Sequence, residues 1–297
     1  MNNLKKILIA TDFSEQSQFS ISRAIDIAKT TKAELIIMHV AQKDFFDKII
    51  MGIIPLANKI FMKPKEYATQ LLKSQIKELS RHKLKIHYVV VASSHPAIKI
   101  LQYVRSHKID LLVIGAHGKY SIHDWFVGTT AEYITRKTIC PVLIVKKLPK
   151  KTYQKILVPV DFSAASRMAL QFAGQLFSKK NLHILHVGDH EYADLLKKES
   201  NLSKEKLKAM RQAILHFLSD KTKQFIKKCN NKFTRFPHTV KLGYPGTVII
   251  KEAQQLKQDL VVMGTKGHSQ MHYIFLGRVA SRVLIEIDKD ILLVPPT

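Results

Sequence analysis

The sequence predicts an α/β protein built from two tandem, doubly wound domains, and three observations support this prediction. The chain has 297 residues, which suits two domains of ordinary size. Local patterns recur when the sequence is shifted by 149 positions, so that the predicted domains span residues 1–148 and 149–297. Within each half, short apolar runs of strand length alternate with longer amphipathic stretches.

The repeat is carried by four pairs of segments that match in order and spacing. They are KKILIATDFSEQS with QKILVPVDFSAAS, SSHPAIKIL with LGYPGTVII, IDLLVIGAHG with QDLVVMGTKG, and CPVLIV with KDILLV. Solenoid repeats have periods of about 20–50 residues. The much longer period here therefore indicates duplication of a whole domain.

The elements of the first half follow from its apolar runs and capping residues. Continuous apolar runs predict parallel strands covered on both faces, namely ILIA, LIIMHV, KIHYVVV, LLVIG and PVLIV. Between them we expect four helices: one capped by Ser14 or Ser17 and running to about Ile27, then 65–81, Ala97–Ser106 and Thr129–Arg136. The apolar stretch Phe45–Met62 could be a partly buried helix, a lid over a site or a contact surface.

The second half repeats this order. Its predicted strands are ILVPV, LHILHV, FPHTVKL, LVVMG and ILLVP, and a helix is expected after Ser203. The stretch 188–217 is longer and more charged than its counterpart and has the weakest pattern.

Composition limits the class of protein. No stretch approaches the ~18–20 apolar residues of a membrane span, and the apolar run at the amino terminus is shorter than a signal-peptide core. Cys140 and Cys229 can form neither a disulfide framework nor a CxxC metal spacing. We therefore expect a soluble, cytoplasmic protein with no membrane partner and no metal site.

The net charge of +25 is divided evenly, as +12 and +13 in the two halves. Nucleic-acid-binding proteins more often concentrate their cations on one face, with aromatic residues interleaved. The lysine pairs here are scattered over strand starts, helices and linkers. This pattern favours a lysine-rich solvated surface over a specific nucleic-acid site, with only weak, salt-sensitive attraction to polyanions.

Three glycines recur at one spacing in the two halves, at Gly115, Gly118 and Gly128 and at Gly264, Gly267 and Gly277. Each set begins at the carboxyl end of a predicted buried strand, where open α/β sheets bind their ligands. Gly128, Thr129 and Thr130 would begin a helix whose amides and hydroxyls suit an anion. The spacing is neither a Walker loop nor a GxGxxG motif, and by itself it is more typical of turns than of a ligand site.

A carboxylate follows the first strand of each half, at Asp12 and Asp161. In a doubly wound sheet the first and fourth strands can be neighbours, so this carboxylate and the glycine loop would face one crevice. The carboxylate could then accept hydrogen bonds from a ribose or base. A turn or helix-capping role for Asp12 is the alternative, because Ser14 follows so closely.

These motifs, in this order and spacing, resemble the universal stress protein family, and they do so twice. The resemblance covers the chain apart from 45–62 and 188–208. It implies a Rossmann-like, five-stranded parallel sheet with helices on both faces, and tandem domains that pack as a pseudo-dimer. In the ATP-binding branch of the family it also implies an adenine nucleotide, ATP or ADP with or without Mg²⁺, held by G-x2-G-x9-G-[ST].

The first half satisfies that pattern in full. The resemblance implies that the backbone of Ala10 and Thr11 and the side chain of Asp12 meet the adenosine, and that Val40 lines the base pocket. It implies a phosphate site formed by Gly115, His117, Gly118, Gly128, Thr129 and Thr130.

The second half departs from the pattern at its last position. Its corresponding residues are Asp161, Gly264, Gly267, Gly277 and Arg278, with arginine where serine or threonine is expected. Arg278 could clamp a phosphate with two parallel hydrogen bonds, or its bulk could fill the pocket. Lost or altered binding is the favoured interpretation, and the first domain is the better candidate.

Three functions remain open at this point. A nucleotide-dependent sensor or regulator in the stress response ranks first, a slow ATPase second, and an interaction scaffold without nucleotide third. No catalytic residue can be named, because a hydrolase needs a positioned base beside the terminal phosphate. The sequence leaves the protein partner unknown and a further homodimer possible.

Overall fold

The computed structural model describes residues 4–41, 64–116, 127–149, 151–177, 181–189, 203–267 and 276–296. The chain divides into two compact units, Met1–Thr152 and Tyr153–Thr297. The apolar stretch Phe45–Met62, for which the sequence allowed three interpretations, lies outside the described residues.

Unit 1 is an α/β domain with one parallel sheet. Its elements in chain order are β1 (Lys6–Ala10), α1 (Glu15–Thr31), β2 (Glu34–Ala41), α2 (Pro64–Leu79), β3 (Ile86–Ala92), α3 (Pro96–Ser106), β4 (Leu111–Gly115), α4 (Thr129–Lys137) and β5 (Val142–Val145). The sheet order is β3-β2-β1-β4-β5, and every neighbouring pair is parallel. The sheet order changes direction between β1 and β4, so the crevice beyond their carboxyl ends is the expected ligand position.

Unit 2 has the same topology. Its elements are β6 (Lys155–Val160), α5 (Ala164–Leu176), β7 (Asn181–Gly188), α6 (Lys204–Cys229), β8 (His238–Leu242), α7 (Pro245–Gln255), β9 (Leu260–Gly264), α8 (Arg278–Glu286) and β10 (Asp290–Val294). The order is β8-β7-β6-β9-β10, again with parallel neighbours. The predicted α/β class and the parallel strands are thus confirmed in both halves.

The central strands form the core of each unit. Leu111, Leu112 and Val113 are fully buried in succession, although neighbouring residues of a strand point to opposite faces of the sheet. Both faces of β4 must therefore be covered. The same holds for Leu260, Val261 and Val262 in unit 2, which explains why these strands read as unbroken apolar runs.

A carboxylate ties the first strand to the fourth in each unit. Oδ2 of Asp110, just before β4, accepts hydrogen bonds from the amides of Lys5 and Lys6 at 2.9 and 2.8 Å. Oδ2 of Asp259 accepts the equivalent pair from Gln154 and Lys155 at 2.8 and 3.0 Å. The two strands are therefore held in register at the end of the sheet opposite the glycine loops.

Serine determines where the first helix of each unit begins. Oγ of Ser14 accepts a hydrogen bond from the amide of Ser17, so Ser14 is the N-cap and Ser17 lies inside α1. Ser163 and Ser166 repeat this arrangement at α5. Helix α1 continues to Thr31, past the predicted end near Ile27. It ends at Lys32, which adopts a left-handed conformation with φ of 60°.

Both cysteines are buried. Burial raises the pKa of the Cys140 and Cys229 thiols to about 11, so neither is a reactive thiolate at neutral pH. Within the described ranges, no helix is both long and apolar enough to span a bilayer.

Candidate functional site

The candidate site lies at the carboxyl ends of the first and fourth strands of each unit. β1 pairs with β4 through Ile7↔Leu111, Leu8↔Leu112 and Ile9↔Val113, and β6 pairs with β9 in the same way. The aspartate that follows β1 and the glycine that ends β4 are thereby brought to one edge of the sheet. The same is true of Asp161 and Gly264 in unit 2.

In unit 2 the aspartate and the glycine loop lie next to each other. A Cβ atom built on Gly267 would lie 2.9 Å from Oδ2 of Asp161, closer than such atoms normally approach. A side chain at position 267 would therefore displace this carboxylate. The corresponding loop residues of unit 1, His117 and Gly118, lie outside the described residues.

The aspartates also stabilise the turn that leads into the first helix. Oδ1 of Asp12 accepts a hydrogen bond from the amide of Ser14 at 3.0 Å. Oδ1 of Asp161 accepts from both the amide and the hydroxyl of Ser163, at 3.0 and 2.5 Å. The turn role considered for Asp12 is therefore present, and in unit 2 it uses a different oxygen from the one that faces the glycine loop.

Gly264 has a packing role. A Cβ atom there would lie 2.8 Å from the carbonyl carbon and Cβ of Ala165 and 3.0 Å from the amide nitrogen of Ser166. All three atoms belong to the first turn of α5, whose backbone cannot move independently of the helix. The first glycine of the motif is thus needed for strand–helix packing, whether or not a ligand binds.

The third glycine closes the loop on itself. The amide of Gly277 donates to the carbonyl oxygen of Thr265 at 2.7 Å, and the amide of Gly128 donates to that of Ala116 at 2.8 Å. A Cβ on Gly277 would lie 3.3 Å from the same oxygen of Thr265. Both loops therefore leave the fourth strand and return to its end before the next helix begins.

That next helix presents polar groups at the mouth of the site. Gly128 is the N-cap of α4 and has no side chain with which to cap the first turn, while Thr129 and Thr130 are exposed. The amides of a helix's first turn lack intrahelical partners. In unit 2 the corresponding first residue, Arg278, is exposed.

The remaining implied residues of the adenosine end lie on β1, directly after it, or on β2. The amide of Thr11 donates to the carbonyl oxygen of Met38 at 2.9 Å, and its hydroxyl lies 2.9 Å from that of Ser17. Ala10 ends β1 and is partly exposed, whereas Val40 near the end of β2 is buried. The structure therefore brings Ala10, Thr11 and Val40 to the same end of the sheet as Asp12.

A histidine and a phenylalanine support this end of the sheet in both units, and sequence reasoning assigned them no such role. Nδ1 of His39 lies 2.8 Å from the carbonyl oxygen of Thr11, and its ring centroid lies 4.5 Å from that of Phe13. In unit 2, Nδ1 of His186 lies 2.9 Å from the carbonyl oxygen of Val160, and its ring stacks on Phe162 with the centroids 4.2 Å apart. A carbonyl oxygen can only accept, so Nδ1 carries the proton in each histidine.

Burial lowers the pKa of both His39 and His186, outweighing the hydrogen bond to the carbonyl and the charge of the neighbouring aspartate. The two rings are therefore neutral at physiological pH and act as supports. The phenylalanines have φ of 63° and 68°, which is uncommon for any residue but glycine. The sequence DFS, which occurs in both halves at 12–14 and 161–163, is the feature that could have indicated the role of the phenylalanines.

Metal binding has no preformed site in the part of the chain that the structure describes. No group of three His, Cys, Asp or Glu side chains there is arranged to hold an ion.

Comparison with known proteins identifies the family. The model of the universal stress protein family matches the chain twice, at residues 3–146 and 152–295. Universal stress protein MJ0531 of Methanocaldococcus jannaschii is 34% identical over 151 residues, which cover 50% of this chain and 86% of that protein. MJ0577 of the same organism is 29% identical over 157 residues, covering 48% and 95%.

A solved structure extends the likeness to the full length. The universal stress protein of Archaeoglobus fulgidus superposes with a TM-score of 0.66, covering 100% of both chains at 16% identity. That likeness concerns the fold, while the two family matches cover nearly every residue. The chain belongs to the universal stress protein family, as a tandem member with two copies of the domain.

Proposed function

We propose that this chain binds an adenine nucleotide in unit 1 and acts as a nucleotide-dependent sensor or regulator in the stress response. The observation that supports the proposal comes from unit 2, where a Cβ atom on Gly267 would lie 2.9 Å from Oδ2 of Asp161, so that the carboxylate and the glycine loop are neighbours. Unit 1 has the same sheet order and the same turn at Asp12. It also keeps the full G-x2-G-x9-G-[ST] pattern that unit 2 has lost.

The residues of unit 1 fit the two ends of such a ligand. Asp12 would accept hydrogen bonds from the ribose, the backbone of Ala10 and Thr11 would contact the adenosine, and Val40 would provide apolar surface for the base. A buried valine at the same end of the sheet as a carboxylate offers the apolar wall and the orienting polar group that small-molecule sites combine.

The phosphates would lie at the other end of the crevice. Gly115, His117, Gly118 and Gly128 would let the backbone approach them, and the hydroxyls of Thr129 and Thr130 would donate to phosphate oxygens. The first turn of α4 adds amides and the positive end of the helix dipole. ATP or ADP, with or without Mg²⁺, suits this arrangement.

In unit 2 we propose lost or altered binding. Gly264, Gly267 and Gly277 keep their spacing, but Arg278 replaces the hydroxyl that would meet a phosphate. The crevice beside Asp161 is kept, so the change concerns the phosphate end of the site. We accordingly propose a working site in the first domain, 1–148, and an altered site in the second, 149–297, with the domain bounds taken from the 149-residue repeat.

A scaffold that binds no nucleotide, ranked third from the sequence, moves ahead of the slow ATPase because one observation favours it. Gly264 has a packing reason to be glycine, and Gly277 closes a loop, so the motif could be retained for folding alone. A slow ATPase ranks below the simple binder, since Asp12 is committed to the adenosine end in this proposal. We propose a cytoplasmic location for all of these functions.

Calorimetric titration of the purified chain with Mg-ATP and Mg-ADP tests the proposal. We expect micromolar or tighter binding at one site per chain, with phosphate release far slower than the ~1–1000 turnovers per second of typical enzymes. Absence of binding would favour the scaffold. Turnover within that range would make the protein an ATPase.

A further inference from the structure

Unit 1 has an open groove between α3 and α4, lined by residues that the proposed nucleotide site does not use. Its volume is about 500 Å³, within the range of small-molecule pockets. Its apolar lining includes Ile98 on α3, Tyr133 on α4 and Ile139 after α4, with exposed fractions of 40%, 42% and 56%. Isolated exposed apolar residues are ordinary, but three around one groove indicate an interaction surface.

The groove is also positively charged. Arg105 and Lys137 line it, and no acidic residue does so among the described residues. A third cation is nearby, because Nζ of Lys99 donates to Oε1 of the lining residue Gln102 at 3.1 Å. The surface therefore combines an apolar floor with a cationic rim.

The turn that carries Ile139 is held rigidly. The buried hydroxyl of Thr138 lies 3.0 Å from the carbonyl oxygen of Cys140 and 3.2 Å from its amide nitrogen. The amide of Thr138 also donates to the carbonyl oxygen of Ile134 at 2.9 Å. An exposed isoleucine on a fixed turn is preorganised for contact. The entropy of ordering this turn is lost when the protein folds, so binding a partner does not incur that cost again.

The other copy of the domain provides an internal comparison. At the positions that match Ile98, Tyr133 and Ile139, unit 2 has Thr247, Arg282 and Asp288. The apolar character of these three positions is therefore particular to unit 1, and the fold does not require it.

The cations of the groove are replaced as well. Arg105 corresponds to Gln254 and Lys137 to Glu286. Nε of Arg282 donates to Oε1 of Glu286 at 2.9 Å, so these two charges of unit 2 are paired with each other.

We propose that this groove of unit 1 is a docking site for an acidic amphipathic helical segment of another protein. Apolar side chains at helical spacing would fill the floor, and carboxylates would pair with Arg105 and Lys137. A second copy of this chain is a poor occupant, because each copy carries a net charge of +25 and like charges across an interface are costly.

The test is a selection from a displayed library of random peptides about 16 residues long, roughly four helical turns. The selection uses the full chain at ~0.3 M NaCl to screen non-specific attraction. The competitor is the triple variant Ile98→Thr/Tyr133→Arg/Ile139→Asp, which copies the residues of unit 2. This variant leaves the net charge unchanged. It therefore removes the three exposed apolar side chains of the groove without weakening the overall electrostatic attraction of the chain for acidic peptides.

We expect the selected peptides to carry several carboxylates beside apolar residues at helical spacing. Their affinity should fall about tenfold or more in the triple variant. Lys137→Glu should also lower the affinity of the peptides. Tyr67 is an exposed tyrosine of α2, and Tyr67→Arg should leave the affinity unchanged. Circular dichroism and thermal melting establish that each variant is folded.

Any one of four outcomes would overturn the proposal. Peptides that bind the triple variant equally well, or that lack carboxylates, would show that the groove does not select this chemistry. Self-association that the triple variant abolishes in sedimentation would assign the groove to a second copy. Binding to anionic vesicles that the triple variant abolishes would assign it to a lipid surface.

Discussion

Replacing Gly264 by alanine is expected to destabilise unit 2 by about 2–3 kcal/mol, within the range for overpacked cores. The new methyl group would lie 2.8 Å from the carbonyl carbon of Ala165 and 3.0 Å from the amide nitrogen of Ser166. These are backbone atoms of a helix whose N-cap, Ser163, is itself fixed by hydrogen bonds. Relief therefore requires α5 and β9 to separate, which loosens the packing of both.

Urea unfolding followed by hydrogen exchange checks this expectation, since a two-unit chain need not unfold in one step. Amides of β9 and α5 should lose protection in the variant. Gly267→Ala is the matched control: its methyl group would meet Oδ2 at the end of the flexible Asp161 side chain, and displacing that carboxylate weakens at most its hydrogen bonds to Ser163, so the loss of stability should be about 1 kcal/mol or less. Equal stability of the two variants would contradict the packing role of Gly264.

Asp12→Ala is expected to weaken ATP binding about 10- to 100-fold. Hydrogen bonds to a charged group are worth about 1.5–3 kcal/mol, and the loss of this carboxylate would remove those made to the adenosine end of the ligand. Calorimetry with Mg-ATP measures the change. Asp161→Ala, at the equivalent position beside Phe162 and Ser163, should leave the affinity of unit 1 unchanged.

The turn role of Asp12 requires a second variant. Oδ1 of Asp12 accepts the amide hydrogen of Ser14, and alanine would lose that bond as well as the charge. Asp12→Asn keeps an acceptor for Ser14 while removing the carboxylate. If Asp12→Asn binds ATP as tightly as wild type, the charge of Asp12 has no part in the site.

The fold and the strand ends that carry the site could be predicted from sequence because their causes are local or periodic. Unbroken apolar runs such as LLVIG require strands buried on both faces, and Ser14 caps a helix through an amide three residues away. The adjacency of β1 and β4 follows from the topology that such runs favour.

The supporting contacts could not be predicted in this way. His39 bonds a carbonyl 28 residues earlier, at Thr11. Phe13 adopts a left-handed conformation that its residue type disfavours. The packing of Gly264 on α5 depends on how closely a strand and a helix approach, and no spacing in the sequence encodes that distance.

The glycines of the motif therefore have different roles, although the sequence pattern alone presents them as equivalent. Gly264 serves packing, and Gly267 leaves room for the Asp161 carboxylate. Because Gly115 ends β4 as Gly264 ends β9, alanine at Gly115 is a poor probe of nucleotide binding. Variants of Asp12 test the ligand without that complication.

The central claim is that unit 1 holds an adenine nucleotide, and the most direct measurement is of what the purified chain carries. Freshly isolated protein is denatured, and the released small molecules are identified by chromatography with mass detection and quantified per chain. We predict ATP or ADP at a ratio near one nucleotide per chain, lowered by Asp12→Ala and unchanged by Asp161→Ala. No nucleotide, together with no uptake of added Mg-ATP, would contradict the claim.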